Sequence, residues 1–220
     1  MKIKKIIALL LVAVMSLSFV ACNGKTENKE TAFDVAKEAY DKITIAYDIT
    51  EQFGSDIYEA WRLGIYDKDE ILDDGVGHLA SKLDLSEEEI IAGVALIVAG
   101  DDKEPESLTK STANFYFKYM KDSLFSFCVM VVSKAYEANG KVDETQGALD
   151  SAKGLMKKMS ETYSDYEHYP NLKKYYTTTK SFFDFCQEPT GSFEQVKDTI
   201  NDYKNDARDY VSDLDYIFED

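Results

Sequence analysis

From Thr31 onward the apolar positions of this chain return every three or four residues. Ala32, Ala36, Ala39, Ile43, Ala46, Thr50, Phe53, Ile57, Ala60 and Gly64 alternate steps of four and three, the spacing that sets one seam of a helix against its neighbours. This predicts a helix over residues 31–66, with small alanines that admit a close partner and Gly54 as a weak point. Residues 67–84 carry Gly75 and Gly77 among Ile71, Leu72, Val76, Leu79 and Leu83, which predicts one or two short helices. Ser86-Glu87-Glu88-Glu89 reads as a capping box: the serine accepts from the first turn and the glutamate reaches back. The run 90–100 is apolar on every side and too short for a span of ~20 residues, so it reads as a buried core helix.

Beyond the charged loop 101–106, a long helix is predicted over 107–139, with Ser107 as its cap and Gly140 closing it in the left-handed conformation. Its middle, 124–132, is apolar nearly all round and should be the most enclosed stretch. Further helices fit 143–167, 171–187 between Pro170 and Pro189, and 192–218. The last has an inner stripe of Phe193, Val196, Ile200, Tyr203, Ala207, Tyr210, Leu214 and Ile217. No segment sustains the period-two alternation of a strand. The fold class is therefore all-α, an antiparallel bundle of four or more long helices with a short-helix insert.

The first residues have a different pattern. Lys2, Lys4 and Lys5 precede the apolar run 6–15 with no acid among them, the charged and apolar regions of an export signal. Leu17-Ser18-Phe19-Val20-Ala21-Cys22 then resembles the lipobox of bacterial lipoproteins, with Val20, Ala21 and Cys22 in matching positions. The resemblance covers residues 1–22 only. It implies cleavage before Cys22, attachment of acyl chains such as palmitate to that cysteine, and anchorage to the outer face of the bacterial cell membrane. Each buried methylene contributes ~0.8 kcal/mol, so one chain binds reversibly and two anchor stably. Residues 23–30 are polar and read as a flexible tether. The expected organisation is a signal peptide over 1–21, a tether over 22–30 and a single helical domain over 31–220.

Losing Lys2, Lys4 and Lys5 with the signal takes the formal charge from −16 to −19. Such a surface repels nucleic acid, which binds clustered Lys and Arg through counterion release, and favours a cationic protein or peptide. Asp198, Asp202, Asp206, Asp209 and Asp213 recur along one face of the last predicted helix. Like charges at that spacing repel, so the face should meet water or something positive. Trp61 and Arg62, near the end of the first helix, form a second candidate contact.

Catalytic and metal chemistry find little support. His78 and His168 lack the spacing that puts two ligands on one helix face, and neither a Gly-x-Ser-x-Gly elbow nor a phosphate-binding glycine loop occurs. Asp67-Lys68-Asp69-Glu70-Ile71 opens like a calcium loop, but Ile71 and Leu72 stand where an oxygen ligand and a glycine belong. Ser107-Leu108-Thr109-Lys110 matches a Ser-x-x-Lys motif without its partner motifs. No catalytic residue, metal or cofactor is expected.

Cys128 and Cys186 remain once Cys22 is lipidated, in a compartment where disulfides persist. If 107–139 rises and 143–167 descends, the two sulfurs reach similar heights of ~31 and ~34 Å at 1.5 Å per residue, so they are read as neighbouring buried thiols or a disulfide. Aromatic side chains such as Phe115, Tyr119, Phe125, Tyr175 and Phe182 read as core, or as the lining of an apolar cavity. The favoured function is an interaction module at the cell envelope; the alternative is a small-molecule sensor or carrier.

Overall fold

The computed structural model describes residues 31–100 and 105–218; the signal, the tether and Cys22 lie outside the described residues. The first helix starts on side-chain chemistry. Thr31 Oγ1 accepts from the Asp34 N–H at 3.2 Å, and the Asp34 carboxylate accepts from the Thr31 N–H at 2.9 Å, closing a capping box. The helices are α1 (Ala32–Tyr66), α2 (Lys68–Ala80), α3 (Glu87–Ala99), α4 (Lys110–Tyr119), α5 (Leu124–Ala138), α6 (Lys141–Thr162), α7 (Tyr169–Gln187) and α8 (Phe193–Phe218), with a 3-10 turn at Lys121–Ser123. No strand occurs among the described residues. The protein is an all-α helical bundle.

Side-chain pairings give the direction of each helix along α1. On α5, Phe125 stacks on Trp61 and Tyr136 stacks on Phe53, and on α6 Leu149 joins Ala46. The chain therefore descends antiparallel to α1 through α5 and then α6, end to end. Tyr175 on α7 meets Tyr40 and Tyr47, while Phe182 and Cys186 lie beside Gly54, so α7 rises. Finally α8 descends, with Phe193 stacked on Tyr58 and Phe218 on Tyr40. Lys37 Nζ donates to the Phe218 carbonyl at 2.8 Å, and the Phe33 ring leans on Phe218. The result is an up-down-up-down bundle whose second leg is two helices in series. Outside it, α3 packs on α5, while α2 and α4 pack on each other and on α3.

The sequence reading changes at four places. The helix expected over 107–139 is interrupted at Lys121–Ser123, and its cap is Thr109, which accepts from the Thr112 N–H at 3.2 Å, instead of Ser107. The break lies where Met120 (ψ 19°) and Ser123 (ψ 32°) leave helical dihedrals, and beyond it α5 approaches α1 so closely that a Cβ on Gly64 would lie 2.5 Å from the Phe125 Cα. The stretch 124–132 is not enclosed all round, since Phe125 and Met130 are exposed. Likewise α3 is only half-buried: Ile90, Gly93, Val94 and Ala95 face inward while Val98 is exposed. Lying outside the four legs, it is covered on some sides only. Lastly, α5 and α6 descend in series instead of one rising and the other descending, so the path along which Cys128 and Cys186 were compared is not the one the chain takes. Both cysteines are buried and free, with no disulfide between them.

Candidate functional site

One amphipathic helix carries the most continuous charged surface. α8 turns Val196, Ile200, Ala207, Leu214 and Phe218 inward, and Asp198, Asp202, Asp206, Asp209 and Asp213 are all exposed. At 100° per residue the five aspartates occupy about 80° of arc. None of them is ion-paired among the described residues; of the cations of α8, Lys204 lies 3.6 Å from Glu51 and Lys197 3.8 Å from Glu194, while Arg208 is exposed. Continuing the same spacing from Asp213 brings Tyr216 onto the strip, 87% exposed. The sequence reading passed over this tyrosine, although its position three residues after Asp213 was there to be read.

Trp61 and Arg62 are adjacent in sequence but part in space. Trp61 is buried, its indole stacked on Phe125 with ring centroids 5.8 Å apart, and the pair borders a groove of about 330 Å³ with Met130 and Pro189. Arg62 grips the Glu59 carboxylate through Nε at 2.8 Å and Nη2 at 2.7 Å, with Asp67 at 3.7 Å. The hydrogen bonds it donates to Glu59 raise the guanidinium's pKa further, so Arg62 is committed within the protein and has little to offer a partner.

The sequence reading also missed a buried carboxylate. Asp56 is 3% exposed. Its Oδ2 accepts from the Tyr136 hydroxyl at 2.8 Å, and its Oδ1 accepts from Gln52 Nε2 at 3.1 Å and from the Asp84 N–H at 3.3 Å. Burial pushes its pKa up, against the pull of those hydrogen bonds. The signal was present: Asp56 stands three residues after Phe53 and four before Ala60, both on the α1 seam. Asp56 forms part of the wall of a cleft of about 400 Å³ between α1, α8 and the loop 81–86, whose lining includes Lys82, Lys197 and Lys204.

The remaining sequence candidates have structural surroundings. His78 Nε2 lies 3.2 Å from Asp67 Oδ2, and His168 precedes α7 at the cap position without a side-chain cap bond. Cys186 packs beside Gly54, and burial raises the Cys128 thiol to about 12. No group of three or more His, Cys, Asp or Glu poised for a metal occurs among the described residues, and no helix there is long and apolar enough to cross a membrane.

Neither a family model, a curated protein nor a solved structure matches this chain. Its site must be read from its own residues.

Proposed function

We propose that this chain is an envelope-anchored interaction module, held at the membrane through Cys22, which takes a cationic protein or peptide on the acidic strip of α8. The observation that carries the reading is the strip itself: five exposed, unpaired aspartates on one face, with Tyr216 exposed at its end. Like charges one turn apart repel, and a Lys- or Arg-bearing segment would relieve that repulsion. Tyr216 adds a face on which a cation can sit. The alternative of an apolar carrier cavity has less behind it, because the buried aromatic rings are spent on each other while Phe115 and Tyr119 are exposed. Phe53 stacks on Tyr136, Phe117 meets Phe127 edge-on and Phe182 stacks on Tyr203.

Calorimetric titration of the mature chain in detergent micelles with a Lys/Arg-rich peptide tests the proposal. Replacing Asp202, Asp206 and Asp209 by Asn should weaken binding more than tenfold, about 1.4 kcal/mol, and high salt should weaken the native chain similarly. Replacing Asp143, Glu144 and Asp150 on α6 by their amides changes net charge equally and should have much less effect. Equal losses from the two triple variants would reduce the strip to a solubility feature.

A further inference from the structure

We infer that the cleft between α1 and α8 is a binding site for a short zwitterionic peptide with acidic side chains, its ammonium directed to Asp56 and its carboxylates to Lys82, Lys197 and Lys204. This goes beyond the acidic strip, which offers only negative charge. Acids outnumber bases 41 to 25 in this chain, yet on one cleft of about 400 Å³ three lysines equal the three acids Asp56, Glu59 and Asp84; Glu59 is held by Arg62 at 2.7 Å and Asp84 lies 3.8 Å from Lys141, and the volume is within the range of small-molecule sites.

Two of the cleft's walls are helix faces. Gln52, Ser55, Asp56 and Glu59 follow the helical spacing along α1, and Lys197, Ile200, Asn201 and Lys204 repeat it along α8. Lys197 and Lys204 are seven residues apart, about 10.5 Å along the helix axis, which suits an extended dipeptide better than a single small anion. Lys82 comes from the loop 81–86, is exposed, and has no ion-pair partner among the described residues. Lys204 is held in place by Ser55 Oγ at 2.8 Å and Glu51 at 3.6 Å.

Asp56 gives the cleft its selectivity. Its hydrogen-bond donors, Tyr136, Gln52 and the Asp84 N–H, are all neutral. A buried carboxylate without a cation is costly, and a ligand ammonium would supply the missing charge. A simple polyanion would leave Asp56 uncompensated and repelled, and a simple polycation would meet the three lysines. A molecule with one ammonium and several carboxylates satisfies both sets.

The test uses the mature chain in detergent micelles and two probes, the dipeptide Glu-Glu and its N-acetylated form, which lacks the ammonium. The free dipeptide should bind at least tenfold more tightly than the acetylated one. Asp56→Asn keeps an acceptor for Tyr136 and should erase that discrimination. Lys82→Gln and Lys197→Gln, both on the surface, should weaken both probes severalfold, and they keep the test standing if the Asp56 variant does not fold. Equal binding of the two probes to the native chain would overturn the assignment, as would no heat from either up to about 10 mM, ten times a millimolar Kd. Losing peptide binding on α8 while this discrimination survives would separate the two sites.

Discussion

At the scale of the single residue, Asp56 makes the sharpest claims. Its raised pKa means that the folded chain holds a proton the unfolded chain has already released. Stability therefore falls as pH climbs from the ordinary value of 3.8 through the raised folded value, and the loss is complete above it. Asp56→Asn cannot titrate. Urea melts of both chains from pH 4 to pH 8 should show the variant gaining on the native chain as pH rises, then running parallel to it. A constant gap across that range would mean that burial does not perturb this carboxyl. Tyr136→Phe removes the donor to Oδ2 and leaves a buried acceptor one partner short, at a cost of about 1–3 kcal/mol at neutral pH. At a pH where Asp56 is protonated, the cost should shrink.

At the scale of the element, glycines decide how closely helices approach. A Cβ on Gly93 of α3 would come 2.4 Å from the Val131 carbonyl oxygen and 2.9 Å from the Ala135 nitrogen, both backbone atoms of α5. Gly93→Ala should therefore force the helices apart and destabilise by about 1–3 kcal/mol. Gly147 and Gly154 on α6 have nothing within 4 Å of such an atom, and Gly→Ala there should stabilise by up to about 1 kcal/mol. Thermal melts of the three variants that moved in the same direction would refute this account. The same close approaches explain what the sequence left unread. The stripe of α8, the seam of α1 and the Ser86–Glu89 cap were legible because each is local chemistry repeated at helical spacing. The break at Lys121–Ser123 was not, since the docking of α5 against Gly64 involves a different helix and the only local hint was three polar residues inside an aromatic run. The cleft around Asp56 escaped for a related reason: its lysines come from two segments more than a hundred positions apart, and only packing brings them together.

At the scale of the whole molecule, the anchor and the core raise separate questions. If Cys22 carries the lipid, Cys22→Ser should move the chain out of the membrane fraction or leave it as precursor; a serine variant that stays on the membrane at mature size would assign the anchorage elsewhere. The core poses a question of timing. α1 is made first, and every helix that covers it comes later: α5, α6, α7 and finally α8. Its last partner, the Phe218 carbonyl that receives Lys37, is 181 positions downstream. Until α5 and α6 have been made, the seam of Val35, Ile43 and Ile57 lacks most of its cover, and contacts so distant in sequence form slowly. A nascent chain must therefore spend most of its synthesis with its central helix uncovered, dependent on whatever shields it from aggregation. Chains ending at Gln187, which never receive α8, should remain in that unfinished state and be degraded, whereas a separately supplied α8 peptide that restores their protease resistance would show that the final leg is what completes the fold.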